Sequence, residues 1–212
     1  MIRPHSMSVL ARMMILLMVT MLFAGCSRSP NVRHFMLGVT AKAGADSSED
    51  PVIDREDSKI SILVGPIRLP RYLDRPQIAR RKKGGEVKLD EFNRWLGGFE
   101  TNLTTALAAD IRSRVGSPRV VAYPSSPPFQ VDYSIRIHVD EWIVDESNDL
   151  RVHLRWAIED RKGTGEPQMS SFKTLVELDG RSTAALVEAH DKVISELSRE
   201  LVNELNTDDT DL

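Results

Sequence analysis

Val131-Asp132-Tyr133-Ser134-Ile135-Arg136-Ile137-His138-Val139-Asp140 alternates apolar and polar residues without a break. A period of two places successive side chains on opposite faces, so this stretch predicts a strand with one dry face and one wet face. The phase shifts at Asp140-Glu141 before Trp142, which predicts a bulge. After a polar turn at 145–149, Leu150, Val152, Leu154, Trp156 and Ile158 alternate with Arg151, His153, Arg155 and Glu159. Phe172, Val176 and Leu178 continue the pattern less regularly. Three such strands joined by polar turns predict an antiparallel meander.

The flanking segments supply the layer that covers the dry face. Toward the C-terminus, Leu186, Ala189, Val193, Leu197, Leu201 and Leu205 share one side of a long helix with Ser182 as its N-cap, ahead of an acidic tail. Upstream, Phe99, Leu103, Ala106, Leu107 and Ile111 recur at spacings of three and four, closed by Gly116. Residues 119–122 read as a short buried strand. Residues 77–89 read as a hairpin turned by Gly84-Gly85. Ile60, Ile62 and Val64 alternate in a strand over 59–64, which Gly65-Pro66 is expected to interrupt. Phe35, Leu37 and Val39 predict one more strand. The fold class is α+β: a mostly antiparallel sheet with two amphipathic helices packed on one face.

Composition bounds the function. Hydrophobic residues make up 41% of the chain, ample for one core. The formal net charge is -3 with both signs interspersed, so no field attracts nucleic acid. A single cysteine excludes an intrachain disulfide, a thiol metal cluster and a redox pair.

That cysteine, Cys26, closes the N-terminal segment. Arg3, His5 and Arg12 precede an apolar run at 13–24 broken only by Thr20, an h-region too short to span a bilayer comfortably. Leu22-Phe23-Ala24-Gly25-Cys26 resembles the lipobox of bacterial lipoproteins, with Phe23 where leucine is more usual. The resemblance implies a cleaved signal peptide over 1–25 and a covalent lipid on Cys26 that anchors the protein to a membrane. Ser27, where aspartate would retain such proteins at the inner membrane, implies the outer membrane. The remainder, 26–212, is expected to be a single periplasmic α+β domain, with a mobile acidic loop at 41–58.

Catalytic motifs are not found: no phosphate-cradling glycine loop, His-Glu-x-x-His helix or Gly-x-Ser-x-Gly elbow occurs. No enzyme activity, cofactor or metal is expected. His138 and His153, with Asp140, share the wet face of neighbouring strands, but Arg136, Arg151 and Arg155 on that face would oppose a metal cation. Arg80, Arg81, Lys82 and Lys83 read as a soluble hairpin tip, the alternative being a contact with anionic headgroups or an acidic partner.

One stretch is distinctive: Leu69-Pro70-Arg71-Tyr72-Leu73-Asp74-Arg75-Pro76-Gln77-Ile78, followed by Asn93-Arg94-Trp95. Pro70 and Pro76 pin the backbone around Tyr72 and Leu73. The residues are equally compatible with a rigid exposed docking loop and with a buried connection. With Val64-Gly65-Pro66, the lipobox and the terminal helix, this stretch resembles the PqiC family, the auxiliary lipoproteins of ABC-type transporters. The acidic loop and the Gly-Gly hairpin depart from the plainer family pattern.

The resemblance implies an outer-membrane lipoprotein facing the periplasm. Its implied partners are an MCE-domain (mammalian cell entry) protein and an inner-membrane transport component that together move lipids or other hydrophobic molecules. The implied role is docking, with Tyr72, Leu73, Asp74, Arg75 and Trp95 as the partner-binding surface. Assembly into a homo-oligomer is left open. The alternative is a stand-alone lipid-binding or envelope-assembly lipoprotein, carrying acyl chains between sheet and helices. A third reading, an envelope hydrolase using Asp74 or Glu141, lacks a second catalytic group in the sequence.

Overall fold

The computed structural model describes residues 31–38, 59–163 and 166–208, together with Val9, Ala11, Met13 and Met14, which are helical. The expected signal segment is otherwise outside the described residues, as are Cys26 and the expected loop at 41–58. None of the described helices is long and apolar enough to cross a membrane.

The meander forms as its alternation requires. Strands β6 (Tyr133–Val144), β7 (Asp149–Asp160) and β8 (Gln168–Glu177) pair antiparallel, with Ile137 opposite Trp156 and Leu154 opposite Phe172. Ile135, Ile137, Leu150, Val152, Leu154 and Trp156 are buried, while Arg136, His138, Arg151 and Arg155 face water. The register shifts between Val139 and Glu141, so the bulge falls where the sequence phase breaks. The extra residue turns Trp142 and Val144 back into the interior. Asp145 shapes the β6–β7 turn by accepting the N–H groups of Ser147 and Asp149 at 2.9 and 3.2 Å.

The outer edge of β6 is divided between two partners. Strand β2 (Ile62–Arg68) runs parallel to its first half, from Ile62 opposite Tyr133 to Arg68 opposite His138. Strand β5 (Val120–Ala122) then pairs parallel with β2. Farther along, β3 (Gln77–Arg81) meets β6 at Arg80 and Val144, and β3 pairs antiparallel with β4 (Val87–Trp95). Strand β1 (Arg33–Phe35) lies parallel to β4 as the last strand on that side. The two longest pairings, β6 with β7 and β7 with β8, are antiparallel, while β2 runs parallel to both of its partners, giving a mixed sheet of eight strands among the described residues.

Three local expectations are corrected. Gly65-Pro66 does not end the second strand: the pairing with β6 skips across it by a register shift and resumes at Ile67. Strand β1 covers only Arg33–Phe35, because the chain bends at Leu37-Gly38, with Gly38 at a φ of 79°. Arg80 and Arg81 are not part of a free hairpin tip. They belong to β3, where Arg81 pairs with Glu141 at 2.5 Å, leaving Lys82 and Lys83 at the turn.

Helix α1 (Phe99–Val115) buries the predicted stripe and stops at Gly116, whose left-handed φ of 64° suits glycine. Helix α2 (Thr183–Asp208) starts where the Ser182 hydroxyl accepts the Ala185 N–H at 3.0 Å. The two helices pack on one another and on one face of the sheet, with α1 over β2 and β5 and α2 over β7 and β8. Glu204 of α2 ties helix to sheet by accepting from the Trp156 indole at 2.7 Å and the Ser170 hydroxyl at 2.8 Å. The described residues from Val32 onward form one compact unit around this core.

Candidate docking site

The distinctive stretch closes on itself before it meets anything else. After β2, Leu69-Pro70 leads into a turn in which Leu73 donates its N–H to the Pro70 carbonyl at 2.9 Å. This drives the Leu73 side chain into the core. The carbonyl of Pro76 then accepts the Trp95 N–H at 2.6 Å, which fastens the end of the loop to the end of β4.

Beyond Trp95 the chain must reverse into α1 within three residues. Gly97 and Gly98 make that reversal with φ of 76° and 90°, a backbone region that side chains with a Cβ rarely enter. Neither glycine has an atom within 4 Å of where a Cβ would stand, so the turn opens onto free space. Gly98 is the N-cap and supplies no side-chain bond to the helix. Asn102, one turn into α1, takes over the job of fixing the reversal. Its amide donates to the carbonyls of Leu96 at 2.5 Å and Gly98 at 2.7 Å, and its oxygen accepts the Leu37 N–H at 3.2 Å.

Between these two turns lies a groove of about 480 Å³, lined by His34, Leu73, Asp74, Arg75, Arg94, Trp95, Leu96, Gly97, Gly98, Phe99 and Glu100, among others. Of these, Asp74, Arg75, Leu96 and Glu100 are exposed and form the rim, and buried Trp95 and Phe99 form the floor. The rim therefore carries both charge signs, and the floor is aromatic. Such a cleft suits a partner that inserts an apolar group and meets paired charges around it.

The floor is part of a larger aromatic stack. The rings of Trp95 and Phe99 lie 5.4 Å apart, and the His190 imidazole from α2 approaches them to 5.3 and 5.7 Å. Trp142 completes the group, 5.7 Å from Phe99 and 6.0 Å from His190. His190 Nδ1 stands 2.7 Å from the Leu186 carbonyl, which can only accept, so that nitrogen carries the proton. Burial pushes the imidazole down to about 4, so the ring is neutral at ordinary pH.

Four of the five residues read as a docking surface thus converge on one opening: Leu73, Asp74, Arg75 and Trp95. Their manner of contribution differs from an exposed aromatic loop. Leu73 and Trp95 are core residues whose edges line the groove. Tyr72 is absent from the lining and packs half-buried against the core, its hydroxyl accepting the Trp142 N–H at 3.4 Å. Burial, opposed by that hydrogen bond, raises the Tyr72 hydroxyl above its ordinary pKa. Asn102 and His190 escaped the sequence reading. His190 could have been found, because it lies four residues after Leu186 and three before Val193, on the apolar stripe of α2.

On the opposite face, Asp140 gathers the histidines weighed as metal ligands. His138 lies 3.6 Å and His153 3.9 Å from its carboxylate, but Arg155 holds both oxygens at 2.9 and 3.0 Å. Those hydrogen bonds keep the Asp140 carboxyl below the usual range; desolvation opposes them, and the charges of Arg155, His153 and His138 assist. The cluster is an occupied ion-pair network.

Known proteins place this arrangement. No curated protein matches the sequence. The crystal structure of a protein from Xanthomonas campestris superposes with a TM-score of 0.58 at 18% identity, over 72% of this chain and 89% of that one. A second crystal structure, of an uncharacterized protein, gives a TM-score of 0.58 at 14% identity, over 69% and 90%. At these identities the likeness concerns the fold alone. The family model described as the ABC-type transport auxiliary lipoprotein component matches residues 45–202, a span that includes the Pro70–Pro76 loop, most of the groove and most of α2. By that match the chain belongs to the ABC-type transport auxiliary lipoprotein family.

Proposed function

We propose that this protein is the lipid-anchored subunit of an MCE-type envelope transport system for lipids or other hydrophobic molecules, docking the assembly at the periplasmic face of the outer membrane. The observation that carries the reading is the convergence of Leu73, Asp74, Arg75 and Trp95 on one groove in a chain of a transport-auxiliary family. The partner is an MCE-domain protein, itself joined to an inner-membrane component. The lipoprotein carries out no chemistry in this reading, and Cys26 holds the lipid. Of the two carboxylates considered for hydrolysis, Glu141 is neutralised by Arg81 at 2.5 Å, whereas Asp74 is exposed on the groove rim.

The interior supports docking over the stand-alone carrier. Ile62, Leu107, Leu154, Leu197 and Leu201 are fully buried in the core that joins sheet and helices, where an acyl chain would have to lie. The test is gentle solubilisation of membranes, recovery of the protein by a C-terminal tag and identification of what accompanies it. An MCE-domain protein recovered with the native chain and lost with Arg75→Ala would support the assignment. Recovery of the lipoprotein alone, repeatedly and after cross-linking, would move it to the stand-alone role.

A further inference from the structure

Single apolar side chains on a surface are ordinary; four side by side are not. Val32, Met36, Phe92 and Leu96 are 41, 52, 48 and 51% exposed. All four belong to the β1–β4 pair or the residues flanking it. The parallel register sets His34 beside Arg94 and Phe35 beside Trp95. Extended by two residues in each direction from His34 and Arg94, it sets Val32 beside Phe92 and Met36 beside Leu96. Phe35, Leu37, Asn93 and Trp95 turn inward, half-buried or buried, so the alternating residues turn outward together. The outcome is a stripe of two apolar pairs with His34 and Arg94 between them, on the last strand of the sheet.

The position of this stripe in the chain names what covers it. Only five residues of chain separate Val32 from Cys26, the sole cysteine, a reach of about 20 Å when fully extended. We infer that the β1–β4 face lies against the bilayer surface, with Val32, Met36, Phe92 and Leu96 entering the headgroup region. The inference rests on lipid attachment at Cys26. A tether this short keeps the face at a high effective concentration next to the lipid, so even a modest apolar contact is populated. Aliphatic and aromatic groups interleaved with an imidazole and a guanidinium suit the interfacial layer, where apolar groups sink and cations meet phosphates. The electrostatic share is small, because Arg94 already lies 3.5 Å from Glu91. The four apolar side chains supply most of the attraction.

The consequence reaches the groove. His34, Arg94 and Leu96 belong both to this face and to the groove lining. With the face on the bilayer, the groove opens at the membrane surface, beside the lipid that a transport assembly would deliver or collect.

The test uses the full-length lipoprotein reconstituted into vesicles of phosphatidylethanolamine and phosphatidylglycerol. An environment-sensitive NBD dye is attached at Phe92→Cys, in a second protein at Met36→Cys, and in a third at Leu175→Cys. Leu175 is 51% exposed on β8, at the opposite side of the sheet from β1. Reconstitution should shift the dye emission to the blue and expose it to quenching by brominated lipids at 92 and 36, with neither effect at 175. Water-like, unquenched emission at 92 and 36 in protein that floats with the vesicles would overturn the inference while leaving the anchor intact. Protein that does not float would overturn the anchor at Cys26, and with it the tether on which the inference depends.

Discussion

The His190 imidazole and the Trp95 indole lie with their ring centroids 5.3 Å apart, so α2 supports the floor of the groove from behind. The contact sets a neutral histidine behind the wall of the candidate site, and this has a pH signature. The unfolded imidazole titrates near 6.5, the folded one near 4. Between those values the unfolded chain binds a proton that the folded chain does not, so the free energy of unfolding falls as pH drops from about 6.5 to about 4. The full loss is about 3 kcal/mol. His190→Phe keeps an aromatic ring and removes the proton, so urea melts of the variant should show a flatter slope across that window. The carboxyls of Asp90, Asp132 and Asp145 are held below 3.8. Their contribution is present above that value and lost as pH falls through it, so it falls mostly below the histidine window.

Asn102 joins three points of backbone that no other side chain connects in the same way: Leu37, Leu96 and Gly98. Asn102→Leu keeps the bulk and leaves a buried N–H and two carbonyls without that partner. We expect a loss of about 3 kcal/mol with little change in the denaturant slope. Equal stability of variant and native protein in urea would show that the reversal at Gly97-Gly98 holds without it.

Two glycines should respond differently to alanine. Gly65 has a φ of 107°, and a Cβ there would stand 2.8 Å from the Tyr123 Cβ, in a strand paired on both sides. Gly84 has a φ of 80° but nothing within 4 Å. Gly84→Ala should cost only the left-handed backbone term, about 1 kcal/mol, and Gly65→Ala should cost at least about 1 kcal/mol more because backbone must move. Thermal melts of the two variants would rank them.

On the groove rim, Arg75→Ala and Asp74→Ala remove exposed groups and should alter stability by less than about 0.5 kcal/mol. Their effect should appear as reduced recovery of the partner. Leu73→Ala is a core truncation expected to cost about 2–5 kcal/mol, so lost binding in that variant would report unfolding instead. Tyr72→Phe removes one 3.4 Å hydrogen bond and should cost less than about 1 kcal/mol, with partner recovery unchanged. Circular dichroism alongside the pull-down separates these cases.

Much of the fold was legible because its signals are local. Alternation in 131–158 set β6 and β7 with their dry and wet faces, the phase break at Asp140-Glu141 set the bulge, and three-four spacing set both helices. Each of these follows from backbone geometry within a few residues of chain. The family stretch at 69–78 was equally plain, as was the single cysteine after a short apolar run.

Partnership between distant segments was not legible. Nothing in residues 62–68 or 77–81 says that both strands share one edge of β6, since pairing depends on what the rest of the chain brings alongside. The same holds for Trp95 and Tyr72. An aromatic residue suits a core or a binding surface equally well, and only the packing of α2 behind Trp95 and of Trp142 beside Tyr72 decided between them. Local pattern accounts for the strands, the helices, the apolar faces and the residues worth watching. The tertiary structure alone decided that Leu73, Asp74, Arg75 and Trp95 meet at one groove, because a groove is made where segments far apart in the chain leave space unfilled.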